Sequence, residues 1–484
     1  MAARSGRDFL AGLRDARELW YAGERVPDVA AHPLLGRTAH TLAGLYDLQQ
    51  REPETLTYRS PSSGDAVGLS FIQPASADDL ARRGRMFRRW SEHTLGLFGR
   101  GPDYPNSLLT GFAMALPFFA QNGAEYAERL ARYYEWCRER DVCITHSLVD
   151  PQTNRARSQS QQADAGVALS IVGESKQGLV VSGARMLATL APYADELVIF
   201  PSPSRVRPTE AARYAFAFAI PVASPGLKLI CRPSLDLVGD PRDHPLSSGF
   251  EEMDAVVVCD EVLVPWERVF LKGDPELCNR ASRDTWAFVH GIHQSTVKSL
   301  VKAETMLGVA SLVAEAIGRN ELPAYQQMLA EIVDVVVTLR AYLHLAETAP
   351  IRDAHGFCVP NPDAMFTARN YFPKVYPRLV ELMQLIGSSG LVATPTEADL
   401  ARPELSGAID RYFQGATLGG HERVRLFRLA WDLCGSGFAG RQLLYERFFA
   451  GDPFALNAAR FGAFDRAAIE ARVREGLRRL SAAS

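Results

Sequence analysis

His146 is a single imidazole set in a short apolar run, "DVCITHSLVDPQTNR", residues 141–155. Val142, Cys143, Ile144 and Thr145 precede it, Leu148 and Val149 follow, and Asp150 and Pro151 break the run. A histidine there is either a hydrogen-bonded core residue or a proton carrier, because its charge changes near neutral pH. Upstream, "GRGPDYP", Gly99 to Pro105, holds Arg100 and Tyr104 in what reads as a Gly/Pro loop between helices. Arg keeps its charge at any working pH, and its planar fork suits an oxyanion. Tyr adds a neutral hydroxyl donor.

Other motifs carry less. "HGIH", His290 and His293, puts two rings on one helix face. Zinc needs further closely spaced His, Cys or carboxylate ligands, and none accompanies this pair, so the expectation is no metal. The two rings stay candidates to line a site between subunits. "GSGFAG", Gly435 to Gly440, matches G-x-G-x-x-G in form, but "VRLFRLAWDLC" before it reads as helix. A dinucleotide fingerprint needs a strand there, so a helix end and turn is the better account. "GSSG", Gly387 to Gly390, also reads as a helix end. No Walker loop and no G-x-S-x-G elbow occurs.

The elements that must position these groups change along the chain. To about residue 140 the pattern is helical: Phe9, Leu10, Leu13, Ala16 and Leu19–Trp20 keep helical spacing, as do Tyr126, Leu130, Tyr133, Tyr134 and Cys137. The middle is short and rich in Val, Ile and aromatics: "GLVVSGARMLAT", "ELVIFPS", "YAFAFAIPV", "LKLICRP" and "MDAVVVCDEVLVP". Long amphipathic helices do not intervene, so a mostly antiparallel barrel or sandwich is expected. From about 284 the helical period returns. One stripe is Val297, Leu300, Val301, Leu307 and Leu312; another is Leu329, Ile332, Val333, Val336, Leu339 and Leu343. Four long helices with short connections predict a bundle. The expected class is α+β: an N-terminal helical domain over 1–141, a central β-domain over 142–278, and a four-helix bundle with its tail over 279–484.

The bulk numbers bound the partners. The 484-residue chain is 47% hydrophobic and 23% charged, with a net charge of −3. That balance argues against nucleic acid or an anionic membrane as partner. The seven cysteines form no C-x-x-C pair, and the start lacks a signal-peptide core. A reducing cytoplasm is therefore expected. The apolar patch Leu108–Phe119 is broken by Pro117 and is too short to span a bilayer.

Several blocks together resemble one family. "GRGPDY", "THSLVDPQTNR", "GLVVSGARMLATLAPYADELVIFPSP", "FEEMDAVVVCDEVLVPWERVFLKGD" and "YERFFAGDP" look like the large, oxygenase component of 4-hydroxyphenylacetate 3-hydroxylase, over nearly the whole chain and in order. The resemblance implies an acyl-CoA dehydrogenase-like architecture and a homotetramer formed through the bundle. It implies FAD held without a Rossmann fold, supplied reduced by a separate NAD(P)H:flavin reductase, with O2 as co-substrate. The implied reaction is ortho-hydroxylation of a para-substituted phenol to a catechol. Arg100, Tyr104 and His146 match the family's phenol-binding trio. Thr189 matches the threonine at the flavin's reactive edge. His146, Ser147, Leu148, Gln152, Thr153, Asn154 and Arg155 match flavin-binding segments, and Phe449, Ala450, Gly451 and Asp452 match a further flavin contact. Pro201 and Ser202 open the segment matching the substrate loop, where Arg205 and Arg207 could grip a substrate carboxylate or face solvent.

The chemistry suits these types. A phenol attacks an electrophilic oxygen best as phenolate, and free phenols ionise near pH 10, like Tyr. Working near pH 7 requires lowering that by roughly 2 to 3 units, about 3 to 4 kcal/mol. Arg100 supplies fixed charge, His146 a base that then donates back, and Tyr104 a neutral donor. Tyrosyl units on carrier proteins and chlorophenols are alternative substrates. A 4-hydroxybutyryl-CoA dehydratase or an acyl-CoA dehydrogenase is the alternative of another class. The first would need cluster-ligating cysteines near "GRGPDY" that this sequence lacks.

Overall fold

The computed structural model describes residues 3–151, 153–157, 159–201, 212–237 and 239–482. Gln152, Ser202, Arg205 and Arg207 lie outside the described residues.

The N-terminal layer holds helices α1 (Gly6–Gly12), α2 (Leu35–Arg51), α3 (Pro53–Leu56), α4 (Ala77–His93), α5 (Asp103–Met114), α6 (Leu116–Ala120) and α7 (Ala124–Arg140). Sequence dictates several ends. Ser76 and Asp79 close a capping box that starts α4. Asp141 ends α7 in the left-handed conformation. The layer is not purely helical. Strands β1 (Glu18–Tyr21) and β2 (Glu24–Arg25) form a hairpin, and β3 (Thr57–Arg59) and β4 (Ala66–Gly68) form another. The helical spacing read through Leu19–Trp20 therefore ends early: α1 stops at Gly12, and β1 pairs in parallel with a central strand.

The central strands are β5 (Ile144–His146), β6 (Ser170–Glu174), β7 (Gly178–Thr189), β8 (Glu196–Ile199), β9 (Phe216–Pro221), β10 (Leu227–Cys231), β11 (Asp254–Pro265) and β12 (Val269–Lys272). They make one sheet of order β2-β1-β10-β11-β7-β6 and another of order β12-β9-β8-β5. Leu179, Val181, Val257 and Val262 of the first and Leu197, Ile199, Phe218 and Ile220 of the second share one core, so this is a sandwich. Pairing is mostly antiparallel, with β1·β10 and β5·β8 as parallel pairs. The short helix α8 (Ser247–Phe250) precedes β11.

The C-terminal helices are α9 (Pro275–Asp284), α10 (Ala287–Ala316), α11 (Pro323–Thr348), α12 (Pro362–Gly387), α13 (Glu397–Leu400), α14 (Pro403–Tyr412), α15 (Gly420–Cys434), α16 (Gly437–Phe448), α17 (Pro453–Ala463) and α18 (Ala467–Ala482). The bundle is α10, α11, α12 and α15, each packing on α10. α10 is buried almost all round from Ala287 to Ala303, because α4 and α5 cover the side the bundle leaves open. Its outer end is solvated: Leu312, expected on the buried stripe, is 53% exposed, as is Val333 of α11 at 41%. "GSGFAG" is the α15–α16 junction, with Gly435 capping one helix and Ser436 starting the next. α12 stops at Gly387, as "GSSG" suggested.

Candidate active site

Three elements converge on Arg100, Tyr104 and His146. Arg100 lies in the loop between α4 and α5. Tyr104 sits in the first turn of α5, so "GRGPDYP" is half loop and half helix start. His146 is the last residue of β5, held in register opposite Val198 of β8. The Arg100 guanidinium carbon lies 3.9 Å from the Tyr104 ring centroid. The Tyr104 and His146 rings lie 5.5 Å apart, tilted by 31°. The Phe200 ring lies 6.1 Å from that of His146. Pro201 next to it is buried.

Among the described residues no carboxylate meets the Arg100 fork. One terminal nitrogen, Nη2, donates to the Phe449 carbonyl at 2.7 Å. The other, Nη1, is buried without a partner. A buried guanidinium nitrogen left open is costly and is a natural seat for an anionic oxygen. The Arg100 backbone N–H donates to Glu252 Oε1 at 2.6 Å. Arg441 binds the other oxygen of Glu252 at 2.9 Å and forks onto Asp254. Asp254 in turn accepts from the Thr189 hydroxyl at 2.7 Å. Thr145 donates to the Thr189 carbonyl at 2.8 Å, which ties the end of β7 to the strand carrying His146.

Burial and the Arg100 charge push the His146 imidazole down to about 3, so it is neutral in the working range. A neutral ring presents one acceptor nitrogen. Asp103, at the start of α5, is pushed up to about 7 by burial and accepts from Gln294 at 3.0 Å.

The candidate cofactor segments divide. Ser147 donates to the Met186 carbonyl at 2.7 Å, and the Leu148 carbonyl accepts from Arg185 at 3.3 Å. Those bonds hold the chain beyond His146 against β7. Thr153, Asn154 and Arg155 are exposed in the loop between β5 and β6, where Thr153 donates to Gln162 at 2.6 Å. Phe449 touches Arg100 through its ring and carbonyl. Gly451 takes a φ of 115°, open to glycine. Ala450 and Asp452 line a cavity of about 570 Å³ with Arg369, Lys374, Arg447 and Phe454. Three cations and an exposed aromatic ring against one carboxylate fit a pyrophosphate joined to flat rings. The residues present thus fit FAD.

His290 and His293 do not line an open site. Both are fully buried within the chain. His290 Nδ1 meets Arg83 at 2.9 Å and His293 meets Glu347 at 2.9 Å. Among the described residues no three His, Cys, Asp or Glu side chains converge to hold a metal ion. Sequence reasoning missed Glu252, Asp254 and Arg441, as well as Tyr445, whose ring lies 5.6 Å from the Arg100 guanidinium. The available signal was three carboxylates, Glu251, Glu252 and Asp254, in "FEEMD" at the start of an apolar run.

A β-sandwich beside a helical layer that packs directly on a helix bundle is the acyl-CoA dehydrogenase-like class of fold. Residues 5–271 match the family model described as 4-hydroxyphenylacetate 3-hydroxylase N terminal, and residues 278–478 match its C-terminal counterpart. The chain belongs to that family. It is 43% identical, over 99% of its length and 97% of the relative's, to a 4-hydroxyphenylacetate 3-monooxygenase oxygenase component from a Geobacillus species. It is 42% identical to the component of that name from Thermus thermophilus, over 98% of both chains. A crystal structure of an oxygenase component complexed with FAD and 4-hydroxyphenylacetate superposes with a TM-score of 0.94 at 42% identity, covering 99% of this chain and 100% of that one.

Proposed function

We propose that this chain is the oxygenase component of a two-component, FAD-dependent phenol monooxygenase. It converts a para-substituted phenol such as 4-hydroxyphenylacetate, O2 and reduced FAD into the ortho-catechol, oxidised FAD and water. The observation that carries this is the Arg100 fork: a buried cation with one nitrogen open, seated on the Tyr104 ring beside a neutral His146.

Reduced flavin, when bound, activates O2 and supplies one oxygen atom as an electrophile. The chain's own residues prepare the phenol. Arg100 Nη1 receives the phenol oxygen and lowers its pKa through fixed charge in a dry site. His146 accepts the phenol proton at its free ring nitrogen. Its own basicity is low while the site is empty, because burial and Arg100 disfavour imidazolium. A phenolate alongside reverses that balance, since the new cation gains an anionic neighbour. Tyr104 adds a hydroxyl donor from the start of α5. For the cofactor, Ser147, Leu148, Thr189 and Phe449–Asp452 are the holding residues on this reading, with Thr153, Asn154 and Arg155 from the adjoining loop and Gln152 by the resemblance alone. Arg369, Lys374 and Arg447 provide charge for its phosphates.

A separate NAD(P)H:flavin reductase supplies the reduced FAD. The seven cysteines are all free thiols, which fits a reducing cytoplasm. No helix among the described residues is long and apolar enough to cross a membrane. A homotetramer formed through the bundle is supported by apolar residues left exposed there, including Leu312, Val333, Val337 and Leu385.

The test is product analysis with chemically reduced FAD, O2 and a panel of phenols. Catechol from 4-hydroxyphenylacetate is the expected result. Turnover of carrier-linked tyrosine or halophenols alone would overturn the substrate while keeping the reaction. Hydrogen peroxide without catechol from every phenol would overturn the reaction itself.

A further inference from the structure

Lys298 and Lys302 of α10 lie one turn apart and are both 0% exposed, the two charged ammonium groups in the buried stretch from Ala287 to Ala303. Both ammonium groups converge on Glu446 Oε1 of α16, at 2.6 and 2.5 Å. Lys302 also donates to Gln442 at 2.7 Å, and Gln442 donates to the Leu97 carbonyl at 3.2 Å. Glu446 is itself fully buried, and its Oε2 has no partner. Two buried cations on one carboxylate leave an excess of positive charge. Such groups are expensive to desolvate, and an apolar replacement would serve a fold as well. Stability alone therefore does not explain them.

Their position does. Lys298 Nζ lies 5.3 Å from the Tyr445 ring centroid and 5.6 Å from that of Phe449. Those two rings stack at 5.5 Å. The Arg100 guanidinium meets the same two rings, at 5.6 and 5.3 Å. One aromatic pair is thus shared by two cations, and the Phe449 carbonyl holds the Arg100 fork. Tyr445 reaches this place only because residue 99 is glycine: a Cβ there would lie 2.2 Å from the Tyr445 hydroxyl. The charged and titratable groups around Arg100 are Tyr104 and Asp103 from α5, His146 from β5, Glu252 before β11, and Arg441, Tyr445 and Glu446 from α16, with Lys298 behind.

We propose that Lys298, anchored by Glu446, is a positioning residue: it fixes the Tyr445–Phe449 ring pair so that Arg100 holds its open nitrogen at the phenol oxygen. This rests on the phenol-binding reading of Arg100 above. Lys298 does not touch substrate; it acts through the rings. Its charge also adds to the field that favours an anion at Arg100.

The test uses the full chain with reduced FAD under anaerobic conditions and 4-nitrophenol as a chromophoric probe. Its phenolate band reports the apparent pKa of the bound phenol. Lys298→Met leaves Lys302 paired with Glu446, so the buried charge stays balanced. We expect it to raise that apparent pKa by about one unit, a tenfold loss of phenolate at a given pH. In aerobic turnover at saturating reduced FAD it should shift oxygen use from catechol toward hydrogen peroxide. Lys298→Arg should restore both readouts. Should Lys298→Met not fold, Tyr445→Leu removes the shared ring without touching a charge and should give the same shift. A folded, FAD-binding variant with wild-type probe pKa and wild-type coupling overturns the inference. Wild-type protein that binds no 4-nitrophenol overturns the phenol reading beneath it, which keeps the two failures distinct.

Discussion

At the scale of single residues, two groups carry opposite duties. Arg100 must stay charged and open, and His146 must stay neutral until a phenol arrives. Arg100→Met removes the fixed cation while keeping a long apolar stem over Tyr104. The loss should resemble removal of one oxyanion donor, about 100-fold in catechol formation, with peroxide released in its place. Arg100→Lys should recover little, because a point charge lacks the fork that bonds Phe449 and the substrate at once. Quantifying catechol and peroxide per O2 consumed checks both. His146 also leaves a mark on stability. Its imidazole is held at about 3 against an unfolded value of 6.5, so between those values the unfolded chain binds the extra proton. Stability from this group is present above pH 6.5 and lost as pH falls toward 3, by about 1.4 kcal/mol per unit. His146→Gln lacks that slope. The stability gap between wild type and His146→Gln should therefore shift in favour of the variant on acidification from pH 6.5 to 4.5, read by urea unfolding at each pH. A gap that does not move would mean His146 carries its proton in the folded protein.

At the scale of elements, the site is a junction of ends: the loop before α5, the tips of β5 and β7, and the last turn of α16. Its tightest point is Gly99. Gly99→Ala puts a methyl against the Tyr445 ring and should cost about 1–3 kcal/mol, the ordinary range for overpacking. Because the displaced ring is Arg100's support, coupling should fall as well. Thermal unfolding and the catechol-to-peroxide ratio together check this, and a stability loss with intact coupling would detach Tyr445 from Arg100. Sequence reading reached part of this junction and missed the rest for physical reasons. The strands β7 to β11 were legible because Val, Ile and aromatic runs stood between turn residues. β1 was not, because Leu19–Trp20 satisfies a helical continuation as readily as a strand, and only pairing with β10 decides. Arg100, Tyr104 and His146 came from their resemblance to a known trio; spacing alone left each as an ordinary loop or core residue. Lys298 and Lys302 were hidden among the residues of a helical period, although two lysines one turn apart beside the stripe of Val297, Leu300 and Val301 were the clue. Glu252 and Arg441 gain meaning only when β11 and α16 meet, which no local pattern encodes.

At the scale of the whole molecule, one chain leaves apolar surface that its own packing does not cover. On α11, Val333, Val337, Ala341 and Leu345 form an exposed ridge at four-residue spacing along the bundle's outer side. Such i, i+4 ridges are what helices use to pack on one another. On α18, Ile469, Val473, Leu477 and Leu480 make a second exposed stripe. A lone protomer in water would pay for both in hydration, at about 25 cal/mol per Å² of apolar surface left uncovered. The bundle ridge sits on the layer through which the tetramer is proposed to form. Val333→Glu/Val337→Glu places two charges at its centre, where burial against a second chain would leave them unpaired, a penalty of several kcal/mol per interface. In a free protomer the same positions face solvent, so the fold itself should tolerate the change. Light scattering after size exclusion should then give a smaller species than wild type with an unchanged circular dichroism spectrum. If the double variant keeps the wild-type mass, the ridge is not the assembly surface, and the α18 stripe becomes the one to charge next.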